Sequence, residues 1–114
     1  MTATINLIET VGGPLAVSSA DGSSVHDRIA EALRRGEPVV LSFAGVEDVT
    51  SAFLNAAIGQ LYGEFDEALI REHLRVVDAE GDQLALLKRV VDRAKDFFRS
   101  PETYNAALTG ALNE

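Results

Sequence analysis

Residues 39–57 read VVLSFAGVEDVTSAFLNAA, and the order of residue types in this stretch decides the fold. Val39 to Phe43 is short, β-branched and scarcely alternating, which is the pattern of a central strand covered on both faces. Pro38 has no N–H to give to a ladder, so it belongs at the strand's entry. An acidic turn, Glu47-Asp48, follows, and then Thr50 and Ser51 stand at the mouth of an apolar segment. There Leu54, Ala57, Ile58, Leu61, Tyr62 and Phe65 fall on one wide stripe, which predicts a helix from Ser51 to Phe65 packed on the sheet. Gly59 and Gly63 leave room in it for close backbone approach. A hydroxyl at a helix entry accepts a hydrogen bond from an orphan N–H, a contact worth about 1 kcal/mol, so one of the Thr50-Ser51 pair is expected to cap this helix.

The pattern extends outward on both sides. Upstream, Val25, Ile29, Ala32 and Leu33 recur at helical spacing and Gly36 follows the last turn, predicting a helix from Ser24 to Arg35. Ala3 to Glu9 alternates as a half-buried strand with Ile5 and Leu7 on one face. Val11-Gly12-Gly13-Pro14 breaks it before Leu15-Ala16-Val17, giving a hairpin or bend. Downstream, residues 65–73 hold another helical turn, and Leu74, Val76 and Val77 form a strand ending at Asp78. Gly81 opens the longest helix, with Leu84, Leu87, Val91, Ala94 and Phe98 three or four apart. Ser100-Pro101 has the form of an N-cap followed by proline at the first helical position, so residues 101–112 are expected to form a terminal helix. The order β-β-α-β-α-β-α-α implies an α/β fold: a small mixed sheet with parallel β-α-β crossovers and helices packed on it, in one domain spanning 1–114. The surface beyond the carboxyl ends of such strands is where function concentrates, and residues 44–51 lie there.

Composition narrows the chemistry. A chain of 114 residues can bury a core without staples, and with no cysteine it holds neither disulfides nor thiolate metal sites. With 18 acidic against 10 basic residues, the formal net charge is −8. That excess repels phosphate backbones and anionic lipid, so neither nucleic acid nor membrane is an expected partner, while a basic protein surface is suited. The first ten residues carry no basic-flanked apolar leader, and the expectation is a cytoplasmic protein.

VVLSFAGVEDVTSAFLNAAIGQLYGEF resembles the core of the STAS-like family, relatives of the sulfate-transporter and anti-sigma-factor-antagonist domain. The similarity is strongest over 36–65 and extends over 18–78, where VHDRIAEALRRG and HLRVVD supply the neighbouring helix and strand. In the antagonists an Asp-Ser-Ser-Gly-Leu-Gly motif at a helix start carries a serine phosphorylated by a partner kinase. The resemblance implies that Ser51 occupies that position and Leu54 that of the buried leucine. Thr50, Ala52, Phe53 and Asn55 replace the motif's aspartate, second serine and two glycines. It further implies a regulatory protein-interaction module without cofactor, whose partner is a histidine-kinase-type ATPase or an anti-sigma-like protein. The expected contact residues are Glu47, Asp48, Thr50, Ser51, Phe53 and Asn55. Phe53 lies at the edge of the apolar stripe, so its ring serves either the core or the contact surface. A phosphate on Ser51 would sit at a helix start, where N–H donors face it, and would add about −1.5 to −2 charges beside Glu47 and Asp48.

Catalytic constellations are sparse in the sequence. Val49 and Phe53 stand where a hydrolase elbow around Ser51 needs glycines. His26 and His73 have no metal or triad spacing and are expected as surface or capping residues, and Glu64, Asp66 and Glu67 as a solvated helix end. Gly12-Gly13 lacks the lysine-serine pair of a phosphate loop. The expectation is a non-enzyme. A small-ligand sensor with a crevice at the strand ends is the alternative, and the two last helices offer stripes for self-association.

Overall fold

The computed structural model describes residues 1–99. The expected helix at 101–112 lies outside them. Strand β1 (Ala3–Asn6), α1 (Leu7–Val11), β2 (Leu15–Ala16), α2 (Ser19–Arg34), β3 (Val39–Ser42), β4 (Asp48–Val49), α3 (Ser51–Ala57), a 3-10 helix (Gly59–Gly63), α4 (Glu67–His73), β5 (Leu74–Val77) and α5 (Gly81–Arg99) follow in order.

Three strands form the main sheet in the order β1-β3-β5, every pair parallel. The register aligns Ala3 with Val39 and Leu74, and Ile5 with Leu41 and Val76. These rows face the helices: Ile5, Val39 and Leu41 are buried, and Ala3, Leu74 and Val76 pack against the same core. The alternate rows carry exposed Thr4 and Arg75 around half-buried Val40. The central strand is thus fully buried on the helical face, while on the other face Val40 is half-buried and Ser42 buried, so the expected covering of both faces is met only in part. The strand order explains why: it runs in one direction across the sheet, and right-handed crossovers that never reverse direction place every connecting helix on one side.

The amino-terminal segment departs from expectation at Leu7. Asn6 ends the strand by capping a short helix, its side-chain Oδ1 accepting the Glu9 N–H at 3.2 Å. Leu7 is fully buried at that helix start, while Gly12 closes it at φ 90°, a left-handed conformation that glycine adopts without a Cβ penalty. No hairpin forms with β1. The chain instead runs on to pair β2 in parallel with β4, Leu15 opposite Asp48 and Ala16 opposite Val49, so the main sheet is purely parallel rather than mixed.

Helix α2 begins five residues earlier than its apolar spacing predicts, at Ser19, because Ser18 caps it by accepting the Asp21 N–H at 3.1 Å. It ends in a Schellman turn: Glu37 N–H donates to Ala32 O at 2.9 Å and Gly36 N–H to Leu33 O at 3.0 Å, with Gly36 at φ 73°. Gly22, in the extended part of α2, lets α3 approach so closely that a Cβ there would lie 2.5 Å from the Phe53 carbonyl oxygen. The stripe from Leu54 to Phe65 is buried largely as expected, but the helix breaks at Ile58 into the 3-10 segment, which packs against α5. Phe43, Phe53, Leu41, Leu54, Ile29, Leu61 and Ile70 are the large, fully buried side chains where the two layers meet. At about 1.5–3 kcal/mol each, they are the main source of stability.

Candidate functional site

The carboxyl ends of β1, β3 and β5 point to one pole, where α1, the β2–β4 ladder and the starts of α2, α3 and α5 gather. Thr50 organises the centre of this pole. Its Oγ1 accepts the Phe53 N–H at 3.2 Å, capping α3, and donates to Val17 O at 2.7 Å across 33 positions of sequence. Backbone bonds from Glu47 N–H to Pro14 O (2.9 Å) and from Thr50 N–H to Ala16 O (3.2 Å) complete the strap. Of the hydroxyl pair, Thr50 is therefore the expected cap. Ser51 follows it at the first helical position, exposed. The helix behind Ser51 spans seven residues, far shorter than 51–65, and the Phe53 N–H is already taken by Thr50, so it offers an anion less than the sequence led us to expect.

Of the six expected contact residues, Glu47, Asp48, Thr50 and Ser51 are brought together at this pole, with Glu47, Asp48 and Ser51 exposed. Phe53 is corrected: its side chain is 0 % exposed, within the hydrophobic core, and offers a partner nothing. Asn55 is exposed but stands one turn down α3, where it lines a hollow of about 740 Å³ with Gln60, Arg93, Asp96 and Phe97 of the 3-10 helix and α5. Two residues that the sequence did not single out occupy the tip instead. Leu15 is 51 % and Val17 42 % exposed, held outward by the pairing with β4. Their signal in the sequence was an apolar triplet whose middle member, Ala16, is the buried one.

A second fastening joins the pole to α5. Gln83, 5 % exposed, accepts the Glu80 N–H at 2.9 Å on its Oε1 and donates from Nε2 to Val46 O at 3.0 Å. The first bond is half of a capping box, and the second pins the β3–β4 loop to the helix. Ser42 Oγ accepts the Ala44 N–H at 3.2 Å and donates to Asp78 Oδ2 at 3.2 Å. Asp78 sits at φ 61°, a region that aspartate tolerates better than most residues. Between these loops lies an open hollow of about 390 Å³ lined by Phe43, Val46, Glu47, Asp78, Glu80 and Gln83. Phe43 and Asp78 directly follow β3 and β5, so this hollow lies at the strand carboxyl ends, where the sensor alternative expects a crevice.

The remaining polar features are placed away from this pole. His26, on α2, lies with Nδ1 3.2 Å from the Asp27 carboxylate and Nε2 3.1 Å from that of Glu64, fastening α2 to the end of the 3-10 helix. His73 Nδ1 is 3.0 Å from Leu69 O. Glu67 pairs with Lys95 at 3.0 Å, so the Glu64–Glu67 stretch is tied to neighbouring elements. Tyr62 stands beside that pair, and burial, followed by the charges of Glu67 and Asp92, raises its phenol above the ordinary value of 10.0. Among the described residues no group of three or more His, Asp or Glu side chains is arranged to hold a metal ion, and no helix is long and apolar enough to cross a membrane.

No curated protein and no solved structure matches the chain significantly. A family model does, over residues 21–84, from the start of α2 through both the Thr50-Ser51 tip and β5 to the first turn of α5. The resemblance carried by residues 36–65 is thus borne out, along with the α/β architecture around it. The chain belongs to the family described as the STAS-like domain of unknown function (DUF4325).

Proposed function

We propose that this domain is a regulatory protein-interaction module whose contact surface is the strand-end tip, residues 14–17 and 46–51, and whose state is set by phosphorylation of Ser51 by a kinase-like ATPase partner. The observation that carries this reading is the division of labour within the hydroxyl pair. Thr50 does the structural work of capping, so the exposed Ser51 hydroxyl can change chemically without loss of the fold. Ser51 Oγ takes the terminal phosphoryl group of a nucleoside triphosphate held by the partner. The new O–P bond forms as the bond to the nucleoside diphosphate breaks, and the hydroxyl proton passes to a base on the partner. The added charge of about −1.5 to −2 falls beside Leu15, Val17 and Asp48 and alters the surface that a partner meets.

The test uses the full chain in its own cells, with a photo-crosslinking residue at position 15 and, as control, at Arg71, which precedes β5 at the opposite pole. Adducts with a nucleotide-binding protein from position 15 alone, together with a phosphate mass on Ser51 that is absent from Ser51→Ala, are expected. Equal capture from both poles, or modification confined to other residues, refutes the proposal.

A further inference from the structure

We infer that the tip docks onto a cationic protein surface with an apolar hollow, Leu15 and Val17 entering the hollow while the strand-end carboxylates meet its lysines and arginines. This rests on the proposed function and names the chemistry of the partner. Two observations carry it. Leu15 and Val17 are large apolar side chains left 51 % and 42 % exposed on backbone that is already fixed by the β2–β4 pairing and by the Thr50 bond to Val17 O. A preformed apolar pair loses little freedom on binding, which is the condition for a compact anchor. The second observation is charge segregation. Glu9, Glu47, Asp48, Asp78, Glu80 and Asp82 surround the pole, all exposed, while residues 1–27, 36–70 and 76–87 contain no lysine or arginine. The ion pairs among the described residues lie elsewhere, on α2, the end of the 3-10 helix, α4 and α5, and none includes these six carboxylates. Among the described residues 16 acidic side chains stand against 10 basic ones, so these six carboxylates equal in number the whole acidic excess there.

Gathered like charges repel one another, and a cationic partner relieves that repulsion on contact. The same field turns away a second copy approaching tip to tip, a phosphate backbone and an anionic bilayer. That leaves a basic protein surface as the occupant the charge fits, and Leu15 and Val17 require it to have an apolar centre.

The experiment is a titration of the ¹⁵N-labelled full chain with an amphipathic leucine–lysine peptide, using oligolysine and a leucine–glutamate peptide as comparisons and amide shifts as readout. Expected are shifts centred on residues 15–17 and 47–51, and an affinity at least about tenfold lower for Leu15→Ser/Val17→Ser, whose exposed positions leave the fold intact. Affinity is also expected to fall at least about fivefold between roughly 50 and 300 mM salt. Oligolysine binding as tightly as the amphipathic peptide, shifts centred on α4 or α5, salt-independent binding, or no shifts at all overturns the inference. A native partner that crosslinks at position 15 yet binds independently of salt overturns it too while leaving the proposed function standing; absence of any crosslink at the tip removes both.

Discussion

Replacing Gly22 by alanine sets two effects against each other on one methyl group. In an exposed helix, glycine to alanine stabilises by about 1 kcal/mol, because alanine loses less backbone freedom on folding. Position 22 is buried, however, and the new Cβ would stand 2.5 Å from Phe53 O, 2.9 Å from Ala56 Cβ and 3.3 Å from Ala57 N. All three are fixed by the α3 backbone, the alanine Cβ included, and cannot rotate away, so α2 and α3 must part by at least half an ångström to reach the 3.0 Å below which real Cβ contacts are essentially never found. Overpacking of this kind costs about 1–3 kcal/mol, and a gap of about half an ångström along a packed seam forfeits part of the dispersion energy of every contact in it. The clash wins: Gly22→Ala is expected to destabilise by about 1–2 kcal/mol, or roughly 4–8 °C in Tm per kcal/mol for a domain of this size. Urea denaturation followed by circular dichroism measures it, with Ser23→Ala, exposed on the same helix, as a control expected to gain a few tenths of a kcal/mol, on the order of its propensity difference. A Gly22→Ala protein as stable as the parent would show slack between α2 and α3 and would refute the close-approach argument.

Four further outcomes test other parts of the structure. Thr50→Ala removes both the cap on Phe53 N–H and the bond to Val17 O and should cost about 1–2 kcal/mol, most of it recovered by Thr50→Ser, in chemical denaturation. Phe53→Ala should cost about 3–5 kcal/mol, so any loss of binding it causes will track loss of near-ultraviolet dichroism rather than a lost contact. Gln83→Ala strips Val46 O and Glu80 N–H of their partners and should cost about 2–3 kcal/mol, with faster amide exchange in the first turn of α5. Tyr62 has its pKa raised in the fold, so below pH 10 it is protonated in both states and contributes no pH slope. As pH rises above 10 the unfolded chain releases the proton first, and stability falls until the folded phenol also ionises; Tyr62→Phe should remove that alkaline decline in denaturation midpoints.

What could be read from the sequence divides along the range of the interactions involved. Val39 to Ser42, Leu74 to Val77 and the start at Gly81 were legible because each announces itself locally, by a β-branched run or by helical spacing after a turn. The start of α2 was hidden, since Ser19 to Ser24 is polar and weakly helix-forming, and only its cap and its packing on α3 hold it. Leu7 misled because one residue fits the strand alternation and a helix entry equally well, and only the Asn6 cap decides. The hairpin expectation failed because the partner of Leu15-Ala16 lies at Asp48-Val49, a pairing that no local pattern encodes. The same limit applies to the site. Glu47, Asp48, Thr50 and Ser51 are neighbours in sequence and could be named together, whereas Leu15, Val17, Asp78 and Glu80 join them only through the topology. Phe53 could not be assigned in advance, because a residue at the margin of a stripe is buried or exposed according to how near the next helix comes, and Gly22 sets that distance.

The strap between residues 14–17 and 46–50 bears on the order in which the molecule assembles. It closes a long excursion of chain with a two-residue ladder and a few hydrogen bonds, so the loss of chain entropy is large beside what those bonds return. Folding should therefore complete the sheet and its helical layer first and fasten the strap last. Slowed exchange of the Glu47 and Thr50 amides would then report the occupied tip directly, since anything that grips Leu15 and Val17 also holds the strap shut.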